Sequence, residues 1–279
     1  MEQQQILDYY EKCHIDYQLI WGANRSFSLH YGYHDKEHRR HHAAVLNMNR
    51  ILAQHAGITA ESQVLDAGCG IGGSCLWLAD NLGAQMTGVN ISAYQLERAR
   101  KLAKKKGLSD RIQYKEASFT DTGLESNNFD VVWGMEAVCY AEEKKEFIKE
   151  AYRLLKPGGR LVVADGFYND VDINFKCPEE YRIWLEGWAV PDLAGQQQFQ
   201  TDMSEVGFNK IQFHDVSEAI LPSAVRMHLA AVLLYPGGKI LEWLKIRKPI
   251  QTQNIIAANY QYICLKKEAW HYGIVVGEK

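Results

Sequence analysis

The chain has 279 residues, 47% of them hydrophobic and 23% charged, which is enough to enclose one large core or two small ones. A formal net charge of −3 gives none of the basic excess that draws a protein to a phosphate backbone, so nucleic acid is not expected as a partner. No apolar stretch looks as long as a bilayer requires, the acidic, Gln-rich start is unlike a signal peptide, and the six cysteines form no CxxC pair, so the expectation is a cytoplasmic protein with reduced thiols and no stable membrane insertion.

In chain order, residues 4–21 and 40–56 read as helices flanking an aromatic, His-rich loop at 27–34. Residues 1–60 are thus expected to form a helical lid ahead of a main domain at 61–279. From residue 64 to 165, short β-rich runs alternate with helical patterns, as in a doubly wound parallel sheet. The predicted strands are 63–66, 85–90, 112–116, 131–135 and 160–165, each with a helix after it. The clearest helices are 93–106, ending at Gly107, and 144–155, stopping at Lys156-Pro157-Gly158-Gly159. A helical, tryptophan-bearing insertion over about 170–206, with its helix at 178–206, should cap the carboxyl ends of the strands. A sixth strand at 210–216, a helix at 224–244 after Pro222, and strands around 260–265 and 272–276 close the chain.

Asp66-Ala67-Gly68-Cys69-Gly70-Ile71-Gly72 follows a predicted strand and opens a helix. Glycines at alternate positions let the backbone turn tightly and approach a ligand. A dinucleotide site uses the spacing G-x-G-x-x-G around a pyrophosphate, whereas the carboxylate of Asp66 would repel phosphate and attract an ammonium. This segment resembles the first motif of class I S-adenosylmethionine-dependent methyltransferases. The resemblance implies a seven-stranded, mostly parallel, Rossmann-like α/β sheet and S-adenosylmethionine as cofactor, its methionine portion on Gly68, Gly70 and Gly72 with Asp66 near the amino group.

The resemblance continues through residue 165. Asn90-Ile91-Ser92-Ala93-Tyr94-Gln95 is similar to the N-x-S-x-x-Q and T-L-S-x-x-Q runs of sterol, tocopherol and cyclopropane-fatty-acid methyltransferases, with Asn90 where most class I enzymes carry an acid. It implies that Asn90, Ile91, Ser92 and Gln95 serve the ribose. Ser118 and Phe119 occupy the adenine stretch, and Met135 lies beneath the sulfonium. His30-Tyr31-Gly32-Tyr33-His34 resembles the H-x-G-Y-W stretch of the sterol and tocopherol group, which suggests Tyr33 at the cofactor and His30 as a base.

Met135-Glu136-Ala137-Val138-Cys139-Tyr140 resembles their M-E-x-x-x-H motif, with Tyr140 in place of histidine. Glu136 could steady a cation or remove a proton, or it could position the N-terminal helix. Tyr140 is the third candidate at the reacting centre. Fifteen tyrosines and seven tryptophans, with Tyr181, Trp184, Trp188, Pro191 and Phe199 in the insertion, fit either an aromatic acceptor wall or ordinary packing. The expected acceptor is a small, fairly apolar metabolite, isoprenoid, sterol-like or aromatic, with C-methylation slightly ahead of N- or O-methylation. A noncatalytic cofactor-binding module is the rival from another class, and a homodimer stays open. His34, His38, His41 and His42, interleaved with Lys36, Arg39 and Arg40, read as a solvated basic face rather than a metal site.

Overall fold

The computed structural model describes residues 3–20, 27–168 and 176–279. The elements in order are α1 (Gln3–Ile20), α2 (His41–Ala56), β1 (Gln63–Ala67), α3 (Gly73–Leu82), β2 (Gln85–Asn90), α4 (Ala93–Lys105), β3 (Ile112–Glu116), β4 (Phe129–Met135), α5 (Lys144–Leu154) and β5 (Leu155–Tyr168). They continue with α6 (Pro178–Gly187), β6 (Ala194–Gly195), α7 (Gln196–Val206), β7 (Asn209–Asp215), α8 (Ser217–Trp243), α9 (Pro249–Lys266) and β8 (Trp270–Glu278).

Seven strands form one sheet in the order β3-β2-β1-β4-β5-β8-β7, and the two-residue β6 adds an eighth by pairing with the end of β5. The five strands from β3 to β5 are parallel, while β8 runs antiparallel between β5 and β7. Alternation along each strand splits the core between two faces. Val64, Trp133, Val162 and Ile274 pack with α2, α3, α8 and α9, whereas Leu65, Val132, Val163 and Val275 pack with α5 and α7. Strand order reverses between β1 and β4, which opens a crevice at their carboxyl ends.

The expected α/β, doubly wound, mostly parallel sheet is present. Several elements differ from the sequence-based expectation. No helix follows β3, where residues 117–128 form turns. The helix expected at 178–206 is two, α6 and α7, broken where Pro191 and Gly195 interrupt the pattern and β6 joins the sheet. Residues 260–265, expected as a strand for their tyrosines and β-branched character, belong to α9. There Ile255, Ala257, Gln261, Cys264 and Leu265 are buried at helical spacing, so packing overrides local propensity. Helix α8 begins before Pro222 rather than after it, and it is long and apolar enough, by length and composition, to cross a membrane, contrary to the expectation that no stretch would be. The first helix was expected to end at Trp21, and the insertion to begin near residue 170; both points lie outside the described residues.

Candidate active site

The crevice holds a cleft of about 930 Å³, mouth included, lined by the ends of β1, β2 and β4 and covered by Ile6, Leu7 and Tyr10 of α1. Its floor is the turn after β1. The N–H groups of Gly68 and Cys69 both donate to the Val89 carbonyl at 3.0 Å, which ties the turn to β2. Gly68 has φ +77°, and a Cβ there would stand 2.5 Å from the Cβ of Ala137; Gly70 has φ +54° and meets nothing within 4 Å, so its bare backbone faces open cleft. The turn also carries the N-terminal segment, since the missing side chain of Gly73 leaves room for the Phe27 carbonyl and Ser28 hydroxyl.

Two carboxylates face this cleft, and no lysine or arginine lines it among the described residues. Asp66, 3% exposed, is held by one weak donor, the Cys75 thiol at 3.2 Å, and burial pushes its pKa up to about 7. A buried carboxylate so poorly partnered is satisfied by an incoming ammonium. Asn90 donates to Gln95 Oε1 at 2.7 Å and to the Gly70 carbonyl, while the Ser92 hydroxyl caps α4 by accepting from Gln95 N–H. The open backbone at Gly70, the under-partnered Asp66 and the amides at the β2 terminus fit the chemistry of the amino-acid and ribose portions of S-adenosylmethionine, and Phe119 and Ile91 line the same cleft.

The sequence-derived candidates divide. His30, Asp66, Gly68, Gly70, Asn90, Ile91, Ser92, Gln95, Phe119, Met135, Glu136 and Tyr140 line the cleft. Gly72, Ser118 and Tyr33 do not. Gly72 lies against the Tyr114 hydroxyl, where a Cβ would sit 2.3 Å away. Ser118 closes a local turn with Thr120 at 2.7 Å, and Tyr33 packs against the main core, its carbonyl accepting from Asn47. Of the histidines, His34 and His41 both meet the Ser223 hydroxyl, at 3.0 and 3.5 Å, and His38 bonds Asp35.

Glu136 leaves β4 with φ +48° and turns into a second chamber of about 590 Å³, mouth included, that shares Tyr10, Leu29, Glu136 and Tyr140 with the cleft. Its Oε1 accepts from the Tyr31 N–H and from the Tyr272 hydroxyl, each at 2.7 Å. Burial, reinforced by the charge of Asp165, raises its pKa to about 8 despite those two bonds. Asp165, at the end of β5, accepts from the N–H groups of Cys139 and Gly166, and burial raises it to about 6.

Tyr31, Trp184, Trp270 and Tyr272 wall the chamber with ring centroids 4.9–6.1 Å apart, as in Trp184–Trp270 and Tyr31–Trp270. No cationic side chain lines it among the described residues; nearby Lys144 donates its hydrogen bonds to the carbonyls of Cys139, Ala141 and Asp192. His30 is 5% exposed and burial lowers it to about 4, so the ring is neutral at pH 7. Its Nδ1 lies 2.9 Å from the Tyr31 carbonyl and therefore carries the proton, which leaves a lone pair on Nε2, a buried atom with no partner among the described residues. Tyr140 donates to the Trp188 carbonyl, and burial raises its pKa well above 10, so it stays protonated.

Tyr10, Tyr31, Asp165, Trp270 and Tyr272 were not anticipated as site residues. An acid at the end of the apolar run from Leu161 to Ala164 was a readable sign for Asp165. Trp270 and Tyr272 gave none, because nothing local places β8 beside β5.

A methyltransferase-domain family model matches residues 65–163. The 27-O-demethylrifamycin SV methyltransferase of Amycolatopsis mediterranei is 30% identical over 204 residues, 73% of this chain and 73% of that one. The sterol 24-C-methyltransferase of Saccharomyces cerevisiae is 29% identical over 227 residues, 78% of this chain but only 58% of its own length. Among solved structures, geranyl diphosphate C-methyltransferase from Streptomyces coelicolor, in complex with Mg2+, geranyl diphosphate and S-adenosyl-L-homocysteine, has a TM-score of 0.77 at 18% identity, covering 99% of this chain and 97% of that one, a likeness of fold. With its glycine turn, its buried Asp66 and these relatives, the chain belongs to the class I S-adenosylmethionine-dependent methyltransferases.

Proposed function

We propose that this chain methylates a carbon of a small, neutral, apolar acceptor, isoprenoid, sterol-like or aromatic, whose transition state gains positive charge. The observation that carries this reading is the chamber itself: seven aromatic side chains, the buried Asp165 and the half-buried Glu136, with no cation among the described lining residues. Such a lining disfavours an anionic acceptor such as a prenyl diphosphate and favours developing positive charge through ring faces and carboxylates. S-adenosylmethionine, when bound, supplies the activated methyl group. The protein's contribution is alignment at the junction of cleft and chamber, exclusion of water by α1 and the tryptophans, and a destination for a proton.

Glu136 stands at that junction. Ionised, it steadies a cation on the acceptor; it or Nε2 of His30 can then take the proton released as that cation collapses. The same lining suits an amine, which keeps N-methylation as the second reading. Incubation with methyl-labelled cofactor, neutral isoprenoids and sterols, a prenyl diphosphate and tertiary amines decides the matter. Label on carbon of a neutral acceptor is the expected product; label on nitrogen transfers the assignment to the second reading, and turnover of the diphosphate alone overturns both.

A further inference from the structure

Helix α8 has two opposite apolar faces. Ile220, Ala224, Met227, Ala231 and Gly238 recur at helical spacing and are buried against the body of the protein. Near its start, the Ser223 hydroxyl accepts from the Gly32 N–H and bonds His34, fixing this half to the lid loop. On the other side, Leu229, Leu233, Ile240 and Trp243 also recur at three-, four- and seven-residue intervals, and they face outward. Among the described residues, every exposed large apolar side chain except Tyr94 falls between Leu229 and Ile246; Leu233 is 79% exposed, Trp243 80% and Ile246 71%. Scattered exposed leucines are ordinary, but a confined cluster of this kind marks a contact surface.

Charge indicates the partner. Residues 229–250 carry Lys239, Lys245, Arg247 and Lys248 against the single acid Glu242, a formal +3 in a chain whose total is −3. Arg247 is committed to Asp16 and Lys239 to Glu242, while Lys245 and Lys248 stand exposed beside Trp243 and Ile246. Tryptophan and tyrosine with exposed aliphatics, edged by lysine, are matched to the boundary between acyl chains and anionic headgroups. A second copy across a two-fold axis would instead set basic patch against basic patch. Because the other face of α8 is locked into the fold, the helix lies on a membrane rather than spanning it.

We propose that the second half of α8 and the turn after it form a docking site for the surface of an anionic phospholipid bilayer. The site would bring the enzyme to where apolar acceptors dissolve, but it stands independently of the acceptor's identity. The test is flotation of the full chain with vesicles of phosphatidylcholine alone or mixed with phosphatidylglycerol, at low and high salt, with Trp emission recorded in parallel. The chain should float with the mixed vesicles, less so at high salt, and its emission should shift to the blue. Trp243→Phe should keep binding and lose most of that shift. Trp243→Glu with Ile246→Glu should lower the bound fraction at least about tenfold, and Lys245→Glu with Lys248→Glu should remove the preference for phosphatidylglycerol, both with unchanged affinity for S-adenosylhomocysteine. A wild-type chain that ignores both vesicles overturns the proposal. So does a dimer in sedimentation that Trp243→Glu with Ile246→Glu converts to monomer, which would assign the surface to self-association.

Discussion

The Tyr272 hydroxyl donates to Glu136 Oε1 at 2.7 Å, joining the residue after β4 to β8 across the intervening β5. This bond favours the ionised carboxylate, against the burial that raises it to about 8. Tyr272→Phe should therefore move the titration of Glu136 upward by about one pH unit and lower turnover at pH 7 roughly tenfold. Affinity for S-adenosylhomocysteine should change by less than about twofold, measured by calorimetry. A variant with an unshifted pH profile would remove Tyr272 from control of Glu136.

Glu136 itself should impose an acid limb on activity. Its ionised form is the useful one, so kcat/KM for the acceptor, measured at saturating cofactor, should rise with pH and level off above about 8. Glu136→Gln should flatten that limb and reduce kcat by about 10²-fold or more, while leaving cofactor affinity close to wild type. If the glutamine variant keeps wild-type turnover, Glu136 only positions the Tyr31 backbone.

Asp66 sets binding against stability. Its folded-state value of about 7 lies above the ordinary 3.8, so the folded protein holds a proton that the unfolded chain releases between those values. Stability is consequently lost as pH rises from about 4 to 7, and above 7 the buried charge persists at full cost. Asp66→Asn should raise the melting temperature at pH 8, by an amount corresponding to a few kcal/mol at most, and make little difference at pH 4. It should also weaken S-adenosylhomocysteine at least about tenfold. Equal melting at pH 8 with retained affinity would refute both halves.

The two glycines of the turn should fail differently. Gly68→Ala places a Cβ 2.5 Å from Ala137 at φ +77°, so it should destabilise the fold by more than the roughly 1–2 kcal/mol of left-handed strain alone. Gly70→Ala meets no protein atom within 4 Å and should cost about that strain, yet its methyl enters the cleft and should weaken cofactor binding at least tenfold. Thermal melts paired with calorimetry separate the cases; equal affinity loss per degree of destabilisation would argue against Gly70 facing the ligand.

The lining of the first cleft was largely legible because it depends on local order: a strand, a turn of glycines and a helix cap are contiguous in the chain. Asn90, Ser92 and Gln95 could be read from six consecutive residues, and they do bond one another. The second chamber was legible only in part: Glu136, Tyr140, Trp184 and Trp188 were candidates from the sequence and line it, whereas Tyr31, Asp165, Trp270 and Tyr272 join them only through the insertion of β8 between β5 and β7. In the loop before α2 the family pattern drew attention to Tyr33, while the nearby Tyr31 contributes both a backbone donor and a chamber wall. Residues 260–265 carry a strand-like composition whose helical role is settled by what α9 packs against. Helix α8 was legible as a helix over 224–244, but a segment apolar nearly all round does not say which side packs, and only tertiary placement reveals which side is left bare.

The late position of β8 has a consequence for synthesis. Strands β1 to β4, which carry the cofactor turn, emerge early, but Trp270 and Tyr272 reach the sheet only after every other strand has been made. A growing or shortened polypeptide can thus form the glycine-lined cleft while lacking the Trp270 and Tyr272 wall of the second chamber, so ligand retention alone is a poor assay of correctly finished enzyme.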